Sequence, residues 1–427
     1  MKFGFEKFGF DETTGEAEFC YGFQDGRKFV ERVRFQTGET LSSERREVLQ
    51  RALELAFMLL GASYYKTFPT RDVEVGRELD AYQADFFNHV YHEGLGQFAF
   101  ENGLARADLA EFCGEGERKN AVSYDGRGDA VLQSGGKDSL LVTSWLEKTG
   151  QEFAPVMVTS GEQHPQVLDD LRAPLVTVRR QLDLAGLQKA ADEGGLNGHV
   201  PVTYMMMALG LCQAILLGKN RVMVSIGHEG AEANTQLLDG MEVNHQWSKS
   251  WQAEQDFARY VRDYISPDLY VGSPLRSFSE MRVTEFFARE AWERFGRRFS
   301  SCNVANYRQQ ADNSELKWCG NCPKCANSYL IFAPFVAGDE LRTLFGGQEL
   351  FTKESLTHAF KGLLGVDGVM KPFECVGEVD ELRRAYHLAQ ARGEYDELPF
   401  KVPESDFEWR HEYEAQDWAR ELMRGIE

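Results

Sequence analysis

The chain has no apolar run approaching the roughly 18–20 residues that a membrane-spanning helix needs, and no secretory leader is expected at its start. It has no excess of positive charge. Lys and Arg number 47 against 67 Asp and Glu, a formal net charge of −20. Proteins that bind nucleic acid generally carry a basic footprint, so this balance argues against that partner. It also means that a polyanionic substrate must enter through a locally basic cleft. Internal repeats and low-complexity tracts are missing. The eight cysteines do not form a disulfide framework: Cys20, Cys113, Cys212 and Cys375 stand alone, while Cys302, Cys319, Cys322 and Cys325 include three within seven residues. In a reducing compartment such clustering points to a metal. The expectation is a soluble, cytoplasmic protein with no membrane and no nucleic-acid partner.

What is present suffices for a large core, with 427 residues of which 43% are hydrophobic and 12% aromatic. Two or three folded units are expected at this length. Residues 1–124 read as an α+β unit. Phe3 to Phe10 and Glu16 to Phe23 are aromatic-rich and partly alternating, and a helix capped near Ser43 carries Val48, Leu49, Ala52, Leu53, Ala56, Phe57 and Leu60 on one face. Tyr64-Tyr65-Lys66 reads equally as an aromatic core patch with a solvated lysine or as a ligand contact. The glycine-rich stretch from Cys113 to Gly128 marks a boundary. In residues 125–335 strands at Ala130–Gln133, Phe153–Thr159, Leu175–Val178 and Arg221–Ile226 alternate with helices at Lys137–Lys148 and Thr203–Leu217. That alternation predicts an α/β fold with a doubly wound parallel sheet. Met205-Met206-Met207 reads as core filler on the second helix. Residues 336–427 read as a helical extension ending in a helix from Phe407 to Ile426.

Chemistry concentrates first in Ser134-Gly135-Gly136-Lys137-Asp138-Ser139, between a strand and a helix. A helix start presents free N–H groups to a phosphate, and the two glycines let the backbone approach it. Ser134 and Ser139 can donate hydroxyl hydrogen bonds, Lys137 adds charge, and Asp138 can hold Mg²⁺. The G-x-x-x-x-G-K-[ST] order of a Walker A loop is missing. An ordinary glycine turn is the plainer alternative. The string resembles the SGGxDS pyrophosphate loop of the ATP pyrophosphatases, which cleave ATP between the α- and β-phosphates. The resemblance implies ATP at this loop, with Thr159, at the end of the following strand, also in contact with it.

Cys302 and Cys319-x-x-Cys322-x-x-Cys325 supply four thiolates, which satisfy a structural Zn²⁺; an iron–sulfur cluster is the rival occupant. A pyrophosphate loop followed by this cysteine set is similar to the architecture of 7-cyano-7-deazaguanine synthase over Asp129 to Phe332. It implies a sheet of the adenine-nucleotide alpha-hydrolase type with a zinc knuckle.

The segments from Gly227 to Asn234, from Glu242 to Ser250 and from Lys371 to Glu378 are similar to those of the ATP-dependent UDP-N-acetylmuramoyl-L-alanyl-L-glutamate epimerases, as are the regions around Tyr64-Tyr65-Lys66 and Trp318 to Cys325. The resemblance implies peptidoglycan precursor synthesis, with the UDP-linked muramoyl dipeptide as substrate. It also implies inversion of the terminal glutamate from L to D, with ATP converted to AMP and diphosphate. Adenylation would remove the carboxylate charge that otherwise opposes loss of the α-proton, and a base and an acid would act on opposite faces. Asp138 and Lys137 belong to the adenylating loop. The candidates for proton transfer are His228 and Glu229, which follow a strand end, together with His245 and Cys375. Each histidine is as readily a structural group, and Cys375 a buried inert thiol. His245 and Lys249 would share a face if helical. Lys249, Arg276 and Arg282 are candidates for the substrate's carboxylates and phosphates, with solvated helix charges as the alternative for the two arginines. Two other functions fit the loop: an adenylating enzyme forming an amide, nitrile or thio product, and a non-catalytic ATP-binding regulatory module.

Overall fold

The computed structural model describes residues 1–38, 40–308 and 314–425. Eleven strands are present among them: β1 Phe3–Asp11, β2 Glu16–Phe23, β3 Lys28–Arg34, β4 Val73–Val75, β5 Asp129–Leu132, β6 Phe153–Thr159, β7 Val176–Gln181, β8 Arg221–Met223, β9 Thr235–Gln236, β10 Glu242–Val243 and β11 Tyr270–Gly272. Nine form one sheet in the order β11-β8-β5-β6-β7-β3-β2-β1-β4, and β9 and β10 form a separate two-stranded sheet. From β11 to β7 all neighbours are parallel. β3 then joins β7 antiparallel, Arg32 opposite Gln181, and β1 to β3 continue as an antiparallel meander. The architecture is a mixed α/β fold, and one sheet spans both the N-terminal strands and the parallel ones. A buried ion pair bridges that seam: Arg180 Nε lies 2.6 Å from Glu31 Oε1, and Arg180 also donates to Ser63 Oγ at 2.9 Å.

Side-chain alternation along the parallel strands shows why both faces are covered. Ala130, Val156 and Val222 enter one buried cluster, while their neighbours Val131, Met157 and Met223 enter the other. The first cluster is closed by the helices Ser43–Leu60, Val202–Leu216 and Trp251–Tyr260. The first of these is capped by Ser42, whose Oγ accepts from Arg45 N–H at 3.1 Å, one residue before the expected position. The second cluster is closed by the helices Lys137–Thr149, Glu280–Glu290, Pro323–Phe332 and Val379–Gln390.

Two expectations need correction. Tyr64 and Tyr65 are core residues as read, but Lys66 is not solvated: it donates to Gly198 O at 2.9 Å, and burial lowers its pKa to about 8. The last helix spans only Asp417–Arg424, Ile426 lying outside the described residues. Phe407 to Gln416 is an irregular strap because its backbone bonds go elsewhere. Trp409 O accepts from Ser279 Oγ, and Tyr413 N–H donates to Ser277 O, both at 2.9 Å. No helix among the described residues is long and apolar enough to cross a membrane.

Candidate active site

Among the parallel strands the order reverses between β5 and β8, since β6 and β7 lie on one side of β5 and β11 beyond β8 on the other. At such a switch point the loops leaving the carboxyl ends of the strands part and open a crevice. Ser134–Ser139 leaves β5, and Val224–Ile226 leaves β8. Both line one cavity of about 450 Å³. Its apolar lining includes Val156, Val158, Val224, Ile226 and Met206; its polar lining includes the Ser134 loop, Lys249, Glu280, Lys324 and Cys375. Lys137, Lys249 and Lys324 outnumber Asp138 and Glu280 in that wall, the locally basic cleft that an acidic chain needs for an anionic substrate.

The loop is built as its residue types demand. Gly135 has φ +76°, the left-handed region, and a Cβ there would lie 2.7 Å from Leu316 Cδ1. Gly136 caps the helix Lys137–Thr149 without a side chain over its N–H groups. Ser134 Oγ accepts from Gly136 N–H at 3.4 Å, and Ser139 Oγ donates to Gly136 O at 3.3 Å. Lys137 Nζ is 2.6 Å from Asp138 Oδ1 and 3.8 Å from Glu280 Oε1. Burial opposes the Lys137 charge, but these two carboxylates more than offset it and raise its pKa. Three buried polar atoms in the wall, Gln133 Oε1, Ser225 Oγ and Glu280 Oε2, make no hydrogen bond within the described residues. A polar ligand would satisfy them.

Beside the loop, Lys249 Nζ lies 3.3 Å from Glu229 Oε1. Burial works against both charges; Lys249 is nonetheless raised by Cys375, Glu229 and Asp138, and Glu229 lowered by Lys249, Lys324 and Lys137. Cys375 Sγ is 3.7 Å from His245 Nε2, and its backbone oxygen accepts from Lys324 Nζ. His245 does not share a helix face with Lys249. It precedes a single tight turn, Trp247–Lys249, in which Trp247 and Lys249 N–H bond back three residues to Asn244 and Gln246.

Four expected contacts lie elsewhere. Arg276 is fully buried, with four of its five N–H groups engaged: Nε and Nη2 bond Glu254 Oε2 at 3.0 and 2.8 Å, while Nη1 bonds Gly227 O and Lys249 O at 2.8 and 2.9 Å. It is absent from the cavity wall and has no exposed surface to offer a phosphate. Arg282 pairs with Glu285 and covers the Phe286 ring, and it is absent from the cavity wall. His228 stacks on Tyr413 of the strap, centroids 3.6 Å apart, with burial lowering its pKa to about 4. Thr159 is also outside the wall, its Oγ1 accepting from Gly161 N–H at 3.0 Å.

The four cysteines do converge. Their sulfurs lie within 4.8 Å of one another, with Cys302–Cys322 and Cys319–Cys325 at 3.7 Å and Cys322–Cys325 at 3.5 Å. Four thiolates bound at the usual Zn–S length sit at tetrahedron corners ~3.8 Å apart. The set can hold a metal ion, and it adjoins the cavity: Ser301 and Asn303 flank Cys302, Lys324 lies between Cys322 and Cys325, and all three line the wall. Glu280, Lys324, Asn303, Gln133 and Met206 were not singled out from the sequence as site residues. Lys324 had a signal, its place inside the cysteine knuckle. Met206 packs against the core as expected, and it also lines the cavity.

Residues 1–271 match the model of the MurL N-terminal domain, and residues 298–415 that of the MurL C-terminal domain. Proteins named UDP-N-acetyl-alpha-D-muramoyl-L-alanyl-L-glutamate epimerase are similar along most of their length. The one from Xanthomonas oryzae pv. oryzae is 32% identical over 399 residues, covering 92% of this chain and 87% of the relative. Those from Salinispora tropica and a Micromonospora species are each 32% identical over 406 residues, covering 93% of this chain and 86% and 88% of the relatives.

Proposed function

The chain belongs to the MurL family, and from that premise we propose that it inverts the terminal L-glutamate of UDP-N-acetylmuramoyl-L-alanyl-L-glutamate, consuming ATP and yielding AMP and diphosphate, in peptidoglycan precursor synthesis. The observation that carries this reading is a single cavity that joins the Ser134–Ser139 loop to Cys375. Activation of a carboxylate and movement of the neighbouring proton can then occur on one bound group.

ATP fits the wall in chemical terms. The apolar slot of Val156, Val158, Met206 and Ile226 suits a base, and the helix start at Gly136 suits phosphates. Asp138 would hold Mg²⁺, whose charge would help neutralise the departing diphosphate. The cysteine set fits zinc and would act structurally, fixing Lys324 and Asn303 in the wall. These features suit a sheet of the adenine-nucleotide alpha-hydrolase type.

The substrate carboxylate attacks the α-phosphorus of ATP, and diphosphate leaves. Lys137 and the loop N–H groups receive the charge that develops on the phosphates. With the carboxylate now an acyl phosphate, the Cys375 thiolate takes the α-proton and the electron pair moves onto the acyl oxygen. A second group of the wall returns a proton to the opposite face. Water then cleaves the adenylate, so one ATP and one water are consumed for each product released. His245 Nε2 lies 3.7 Å from Cys375 Sγ and can accept the thiol proton that makes Cys375 a base, against the burial that lowers the His245 pKa to about 4 and opposes the imidazolium.

A panel of carboxylate substrates scored for diphosphate tests this. AMP and diphosphate should appear with the glutamate-terminated UDP dipeptide. Formation of ADP and orthophosphate would remove the loop assignment, and turnover only with an added amine or sulfur donor would point to amide or thio formation.

A further inference from the structure

His245 bonds on its other side to a residue that no motif marks. Its Nδ1 lies 2.6 Å from Gln97 Oε1, and Gln97 Nε2 donates to Glu101 Oε1 at 2.7 Å. Gln97 is 8% exposed, whereas Glu101 is at the surface. A carboxylate can only accept, so Glu101 claims the amide NH₂ of Gln97 and leaves the amide oxygen facing His245. An amide oxygen can only accept as well, so the proton of the neutral imidazole sits on Nδ1. The Nε2 lone pair is then left for Cys375 Sγ, 3.7 Å away.

The two segments are also held in register. Asn234 Oδ1 accepts from His245 N–H at 2.9 Å, and its Nδ2 donates to the carbonyls of Lys371 and Pro372 at 3.2 and 3.1 Å. On the far side, Gln246 Nε2 donates to Val376 O at 2.8 Å. Nothing in this arrangement needs a bound ligand to complete it.

We infer that Gln97 and Glu101 are positioning residues, which fix the Nδ1–H tautomer of His245 so that its Nε2 can take the proton of Cys375. This rests on the reading above in which Cys375 carries the α-proton. The transfer balances without an added reactant: the S–H bond breaks, an N–H bond forms at Nε2, and the pair left is thiolate and imidazolium. Charged and titratable groups surround it. Lys249 and Lys324 stand beside Cys375, and Lys324 Nζ donates to its backbone oxygen. Around His245 lie His199, with ring centroids 4.6 Å apart, and Glu374, Glu101, Lys249 and Lys324. Lys66 faces His199, and Glu229 faces Lys249.

Alkylation of the full chain by iodoacetamide, followed by mass spectrometry of the Cys375 peptide between pH 5 and 9, reads the thiolate directly. Exposed Cys113 serves as internal reference. At pH 7, Gln97→Leu should slow Cys375 relative to Cys113 about tenfold, a ratio equivalent to about 1.4 kcal/mol. Gln97→Glu, which still accepts from Nδ1–H, should restore most of the rate, and Glu101→Ala should give a smaller loss. Glu101 is exposed, so its variant carries the test if Gln97→Leu does not fold. An unchanged Cys375-to-Cys113 ratio in both Gln97→Leu and Glu101→Ala would overturn the positioning role. The underlying reading fails separately: it falls if Cys375→Ser still exchanges the substrate α-proton. If Cys375→Ser abolishes exchange while the Gln97 and Glu101 variants alkylate like the parent, only the positioning role is lost.

Discussion

Arg276 offers a sharp test because two roles for it predict opposite results. Its guanidinium is wholly buried, holds Glu254 with two bonds, and satisfies the carbonyls of Gly227 and Lys249. Arg276→Met keeps much of the volume but strands Glu254, itself 3% exposed, with Gln416 Nε2 at 3.0 Å as its remaining side-chain partner. Removing one member of a buried ion pair costs about 3–5 kcal/mol, and each carbonyl left unpaired adds roughly 1–3 kcal/mol where water cannot reach it. Since domains are stable by about 5–15 kcal/mol, the loss is a large share of the whole. Urea unfolding followed by tryptophan fluorescence should show the midpoint falling by more than about 1 M for a slope near 3 kcal/mol/M. If Arg276 instead held the substrate's phosphates, the midpoint would stay in place and KM for the UDP substrate would rise. That pair of results would refute the clamp.

Three further outcomes follow from the site. Asp138→Asn should abolish diphosphate release while the chain still unfolds cooperatively in urea; retained release would remove Asp138 as the metal-binding group. Elemental analysis should find about one zinc per chain, and stripping it should both destabilise the protein and weaken ATP binding, because Lys324 and Asn303 are held by the same knuckle; iron, or metal loss without effect on ATP, would contradict this. Burial, then Glu280, raises the Glu381 carboxyl from 4.5 to about 8. A folded pKa above the unfolded one means the native state binds more protons, so the stability that Glu381 contributes is full below pH 4.5 and declines as pH rises through 8. Glu381→Gln should therefore gain stability over the parent as pH rises from 5 to 8, and parallel pH profiles would refute the assignment.

The Ser134–Ser139 loop was legible because its chemistry sits in consecutive residues between a strand and a helix, and local pattern finds both. The cysteine cluster was legible for the same reason, Cys302 being the one distant member. Arg276 was not, since a sequence shows a cation but not Glu254, Gly227 O and Lys249 O waiting around it. The β3–β7 pairing joins residues about 150 apart in the chain, and no local alternation announces it. The strap misled for a related reason: Trp409 and Tyr413 spend backbone groups on Ser279 and Ser277, a tertiary demand that overrides helical pattern. Gln97 carries no motif, and only its place beside His245 gives it meaning.

On the proposed mechanism, activation of a carboxylate serves proton transfer at the neighbouring carbon. Turnover of UDP-N-acetylmuramoyl-L-alanyl-L-glutamate in D₂O with ATP and Mg²⁺, followed by chiral analysis and mass spectrometry of the glutamate, tests it most directly. D-glutamate bearing deuterium at the α-carbon is expected, with AMP and diphosphate formed alongside. ATP consumed while the α-carbon keeps its proton and its L configuration would contradict it.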